Sequence, residues 1–82
     1  PQHYRVRAAF DYRKKPGRRE WLRGRLVRTE EGTLTAEKYS SDGAGVLSSA
    51  VFADGLIEVA EDVTELKTGS YVEFLPFNEM MR

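Results

Sequence analysis

Glu20-Trp21-Leu22-Arg23-Gly24-Arg25-Leu26-Val27-Arg28-Thr29, then Glu30-Glu31-Gly32-Thr33, then Leu34-Thr35-Ala36-Glu37-Lys38-Tyr39 is the stretch whose reading decides the fold. In its first ten residues Leu22, Gly24 and Leu26 fall on one face, and Trp21, Arg23, Arg25 and Val27 on the other. That period of two is a strand with one buried face. Glu30 to Thr33 has hairpin-turn composition, so Leu34–Tyr39 is expected as a strand antiparallel to the first. Working outward, Tyr4, Val6, Ala8 and Phe10 alternate with Arg5, Arg7 and Asp11, which predicts another half-buried strand. Between them Pro16-Gly17 favours a type II turn inside the basic loop 13–19. Downstream, residues 40–45 are a small, polar loop. Val46–Phe52 is expected as a short helix ended by Asp54-Gly55, with Gly55 as a left-handed cap. Leu56–Ala60 reads as a short strand, 61–69 as a connection anchored by Leu66, and Tyr71–Leu75 as a last strand. Pro76 should limit pairing at its end. Five or so short strands joined by turns give an all-β class, a barrel or a bent ribbon.

The whole chain has 82 residues, room for one thin core. With 40% hydrophobic and 32% charged residues it has the composition of a folded domain. It has no Cys, which excludes disulfides and thiolate metal sites, and one His, which excludes a His-rich centre. No apolar run approaches the roughly 20 residues of a membrane span. No signal-peptide pattern is seen, and a cytoplasmic location is the expectation. The start at Pro1, without Met, predicts a single domain, 1–82, that is a fragment of a larger multidomain protein.

Charge is split along the chain. Residues 1–28 hold ten Lys/Arg against Asp11 and Glu20, a net of +8; residues 29–82 hold three against eleven acids, a net of −8. Such a split fits an anionic partner, or two halves that pair within one fold. No Ser/His/Asp set can be assembled, so a self-sufficient catalytic centre is not expected. Anion binding is better supported. Arg23 and Arg25 point the same way from a strand, about 7 Å apart, near Lys14, Lys15, Arg18 and Arg19. Guanidinium forks fit tetrahedral oxyanions. Asp42-Gly43-Ala44-Gly45 can turn backbone N–H groups to one point, and a helix starting at Val46 would add its dipole. Against this stand plainer roles. The basic loop is also a solvated turn, Trp21 a ring packed over arginine stems, Ser48 and Ser49 caps, His3 an exposed residue near the terminus, and Met80 and Met81 tail residues.

Three segments together resemble one family. Lys15-Pro16-Gly17-Arg18-Arg19-Glu20-Trp21-Leu22-Arg23, Gly43-Ala44-Gly45-Val46-Leu47-Ser48-Ser49 with Ala53-Asp54-Gly55-Leu56, and Val72-Glu73-Phe74-Leu75-Pro76-Phe77-Asn78 are similar, in order and spacing, to signatures of the C-terminal domain (domain IV) of the MoeA family. These are the molybdopterin molybdenumtransferases, related to the gephyrin E domain. The resemblance implies a bent-ribbon, β-clip-like incomplete barrel with one short helix, the fourth domain of a homodimer. It implies insertion of molybdate into adenylylated molybdopterin (molybdopterin-AMP) with release of AMP, and a need for Mg²⁺ whose ligands lie outside this chain. The cleft would lie between the catalytic domain of one subunit and this domain of the other. The other domains and the second subunit are then the partners, with no nucleic acid and no membrane. Arg23 matches the arginine facing molybdate, and Arg18 the one in the supporting turn. Gly43, Ala44 and Gly45 match the glycine loop, and Lys15, Trp21 and Ser48 stand in support. Ala44 replaces a common Ser and Asp42 a common Gln. Loss of that hydroxyl would weaken an oxyanion contact by about 1–1.5 kcal/mol, roughly tenfold, with the backbone N–H groups of Ala44 and Gly45 able to compensate. The remaining readings are a nucleic-acid-binding small barrel, with Trp21 and the basic half on a phosphate backbone, and a gephyrin-type interaction module that binds no oxyanion.

Overall fold

The 20–39 segment forms the expected hairpin. In the computed structural model, which describes residues 3–39 and 50–77, the strands are β1 (Tyr4–Ala8), β2 (Tyr12–Arg13), β3 (Glu20–Arg28), β4 (Leu34–Lys38), β5 (Ala50–Val59), β6 (Glu65–Leu66) and β7 (Tyr71–Pro76). β3 and β4 are antiparallel with Leu26 opposite Ala36 and Arg25 opposite Glu37. Their turn closes through Thr29 N–H to the Thr33 carbonyl at 2.8 Å and Gly32 N–H to the Thr29 carbonyl at 2.9 Å. Gly32 sits there at φ +88°, open to glycine without steric cost.

β5 lies on the other side of β3, β7 pairs with β5, and β1 with β7, all antiparallel. A short parallel pairing of β1 with β4, Arg7 with Thr35 and Ala8 with Ala36, closes the ring in the order β1-β4-β3-β5-β7. The inward residues Val6, Ala8, Leu26, Ala36, Ile57, Val72 and Phe74 fill it. Leu66, from the β2–β6 ribbon, joins that cluster as the expected anchor.

This corrects the expectation of an incomplete barrel with one short helix. The barrel closes, and the described residues contain no helix element. Of the segment expected to be helical, residues 46–49 lie outside the described residues, while 50–52 already belong to β5. Gly55 is not a left-handed cap, since the positive-φ residues among those described are Gly17, Gly32 and Gly69. It lies inside β5, directly opposite Gly24 of β3. A Cβ on Gly55 would stand 2.1 Å from the Leu75 carbonyl oxygen, and one on Gly24 would stand 2.6 Å from that of Glu37. The two glycines let neighbouring backbones approach closely enough for the sheet to curl shut. Pro76 is the last residue of β7 and, opposite Gly55, the last to pair, which fits its expected role of limiting further pairing at that end. The β3–β5 register shifts between Leu26 and Val27, and these adjacent residues are both buried, at 0% and 2% exposure. A bulge of this kind breaks the strict alternation that puts Val27 with the arginines.

Candidate anion-binding site

β3 presents Arg23 and Arg25 outward because its alternate residues, Leu26 above all, are drawn into the core. Arg23 does not project freely. Its guanidinium carbon lies 5.6 Å from the centre of the Tyr39 ring and 5.2 Å from that of Phe77, inside cation–π range. Arg25 shares the Tyr39 ring at 5.2 Å, and its Nε donates toward Glu37 Oε1 at 3.3 Å. Tyr39 is fixed at both ends. Its N–H donates to the Arg23 carbonyl at 3.0 Å, and its hydroxyl donates to the carboxylate of Asp54, the residue opposite Arg25 on β5. That hydrogen bond raises the Tyr39 pKa above the ordinary phenol value. Losing the proton would break the bond and leave two negative charges together. Arg23 makes no ion pair among the described residues, so its N–H fork is held in place by ring faces without being consumed by a carboxylate.

The other cations are arranged differently. Arg19 is paired with both Glu58 and Glu61, the latter at 2.9 Å. Its hydrogen bond holds the Glu61 carboxyl below its usual range. Lys14 Nζ donates to the carbonyls of Lys15 and Glu61. Gly17, at φ +95° after Pro16, donates its N–H to the Glu61 carbonyl at 2.9 Å, which suits the expected type II turn. The basic loop is thus fastened to residues 61–64. Arg13 pairs with Glu65, and Arg5 approaches Glu73 at 3.9 Å. The +8 and −8 halves therefore meet inside the fold, the second of the two possibilities that the charge split leaves open.

Of the site residues expected from sequence, Arg23 stands at the centre of this cluster. Lys15 and Arg18 are exposed in the turn before β3 and share no partner with Arg23. Arg18 lies five positions before Arg23 and ahead of the first residue of β3. Trp21 is 47% exposed and stands opposite Glu58, two residues before Arg23 on the same face. Gly43, Ala44, Gly45 and Ser48 lie outside the described residues, as do Asp42, Ser49, Met80 and Met81. His3, expected as merely exposed, places Nδ1 2.5 Å from Glu73 Oε1. The residues missed were Tyr39, Phe77 and Asp54. Tyr39 and Phe77 each follow the end of a strand, where period two says nothing about direction. Their aromaticity beside an arginine strand was the available signal.

A small closed β-barrel thus carries on its outer face an arginine guanidinium set over two aromatic rings. Residues 5–77 match the family described as the MoeA C-terminal region (domain IV), and the chain belongs to that family. Membership ties it to molybdenum cofactor biosynthesis. Among the described residues no helix is long and apolar enough to cross a membrane. No three His, Asp or Glu side chains among them gather where they could hold a divalent cation, so the implied Mg²⁺ has no fit on this part of the chain.

Proposed function

We propose that this barrel is the C-terminal domain of a larger MoeA-type molybdenumtransferase and that Arg23 receives molybdate there as it is inserted into adenylylated molybdopterin. One observation carries the reading. Arg23 is an exposed guanidinium clasped by Tyr39 and Phe77 with no carboxylate on it among the described residues, whereas Arg19 and Arg25 are engaged by acids. Molybdate is a tetrahedral dianion, and a planar fork can meet two of its oxygens at once. A fork already ordered by ring contacts loses less freedom on binding than a free side chain. The role is positioning and charge stabilisation, with no proton transferred by this chain. The remaining domains and a second subunit complete the cleft, and AMP leaves as the metal oxyanion is accepted.

The test is Arg23→Ala and Arg23→Lys in the full-length protein. Both should fold, since the side chain lies outside the core. Arg23→Ala should sharply reduce insertion at limiting molybdate. Arg23→Lys, which keeps the charge and loses the fork, should recover only part of it. Unchanged insertion at limiting molybdate in Arg23→Ala sinks the proposal.

A further inference from the structure

A second arginine–tyrosine cluster lies on the β1–β7 side of the barrel, apart from Arg23. Arg5 and Arg7 are i, i+2 on β1, and their guanidinium carbons lie 5.1 and 4.6 Å from the centre of one ring, Tyr71 of β7. Tyr71 is 51% exposed. Arg7 is steadied by the Gly69 carbonyl at 2.8 Å. Beside this cluster is a hollow of about 450 Å³, bounded by Arg5, Arg7, Tyr71, Arg28 and Leu34 among others.

The hollow follows from how the barrel closes. The β1–β4 ladder begins only at Arg7 and Thr35, so the first half of β1 has no ladder partner on that side among the described residues, and faces residues 32–34 across the hollow. Ala8 donates its N–H to Ser70 on the β7 side, whereas Ala9 donates to Ala36 on the β4 side. By alternation the N–H and C=O of Arg5 also face the β4 side, where no ladder pair among the described residues meets them. The seam therefore combines an open strand edge, cationic walls and an exposed ring.

We infer that this seam docks an extended acidic segment of a protein partner. Its main chain adds to the open β1 edge at Arg5, and its carboxylates meet Arg5 and Arg7. An open edge supplies main-chain hydrogen bonds to any extended peptide, and the side chains around it set the choice. Here the choice is for negative charge, since Arg5 and Arg7 line the hollow, and the acid next to them, Glu73, lies 3.9 Å from Arg5 and is shared with His3. Exposed Tyr and Arg are also the residue types that dominate binding energy at protein interfaces. The inference does not depend on the role proposed for Arg23.

The experiment is an amide-shift NMR titration of the full chain with a capped Val-Glu-Val-Glu-Val-Glu peptide. Its Val-Lys counterpart, an N-methylated Val-Glu version and hexauridylate are run in parallel. Shifts should gather at Arg5, Arg7, residues 32–34 and Tyr71, and the Val-Lys peptide should give none. Binding should weaken at least about tenfold in the Arg5→Glu/Arg7→Glu variant, whose changes are on exposed side chains, and N-methylation should weaken it as well. Absence of shifts, shifts centred on Arg23, indifference to N-methylation, or equally tight hexauridylate binding would each overturn the inference.

Discussion

Replacing Gly55 by alanine adds one methyl group at the point where β3, β5 and β7 come closest. The new Cβ would stand 2.1 Å from the Leu75 carbonyl oxygen and 2.9 Å from both the Leu75 carbonyl carbon and Phe74 Cζ. An ordinary contact of this kind needs more than 3 Å, so β5 and β7 would have to part by roughly 1 Å. The obstructing atoms are largely backbone, which cannot turn aside as a side chain does. Overpacking of a core costs about 1–3 kcal/mol when side chains can yield; here the upper end, about 3 kcal/mol, is the expected minimum. Against about 5 kcal/mol for a domain of this size, that leaves a barely folded chain. The midpoint of thermal unfolding should fall by about 12–24 °C. Urea unfolding followed by Trp21 fluorescence gives the comparison, with Gly32→Ala as the control. At Gly32 nothing lies within 4 Å and only the φ of +88° opposes a side chain, so the cost there should be about 1–2 kcal/mol. A Gly55→Ala protein no less stable than Gly32→Ala would refute the account of barrel closure.

Tyr39→Phe keeps the ring against Arg23 and loses only the hydroxyl bond to Asp54, whereas Tyr39→Leu loses both; insertion assays in the full-length protein should show a molybdate KM raised about 3–5-fold in the leucine variant and nearly normal in the phenylalanine one. Equal effects of the two would show that the hydroxyl, and not the ring, matters. Asp11 accepts from both the Thr68 N–H at 2.8 Å and the Thr68 hydroxyl at 3.0 Å, and these bonds hold its carboxyl below the usual range. A depressed folded pKa contributes stability that is present above about pH 4 and lost as pH falls through the folded value. Asp11→Asn should therefore lie further below the wild type in urea at pH 7 than at pH 3, and a gap that widens in acid would contradict this. Glu61, held down by Arg19, carries the same sign, so Arg19→Ala should likewise cost more stability at pH 7 than at pH 3.

The hairpin at 20–39 was legible because two physical signals coincide there, period two and a turn with a glycine at its close. Gly55 shows where local reading stops. Asp-Gly after an apolar stretch looks the same whether it caps a helix or lets two strands touch, and only the backbone of β7, some twenty residues on, decides between them. The bulge between Leu26 and Val27 has the same origin, since it arises in the pairing with β5 and leaves no mark in β3 itself. Arg23 could be found, because its strand and its resemblance to the family motif both point to it. Tyr39 and Phe77 could not, because the barrel brings the ends of two distant strands together beside it.

The same locality explains why counting charges misleads here. Ten cations in the first 28 residues suggest a surface made for anions. Closure of the barrel then sets β3 and its preceding turn against β4, β5 and the 61–65 connection, which carry Glu37, Glu58, Glu61 and Glu65. Each pair formed this way removes one cation from the set that could meet a ligand, and exposed pairs of this kind add at most about 1 kcal/mol of stability apiece. What distinguishes Arg23 is therefore not its charge but its neighbours. Ring faces hold a guanidinium in place without occupying its N–H groups, whereas a carboxylate does both. An arginine held over rings with no carboxylate on it among the described residues has a fork that is both ordered and open; Arg5 and Arg7 share the Tyr71 ring in a different way, since Arg7 also donates to the Gly69 carbonyl and Arg5 lies 3.9 Å from Glu73.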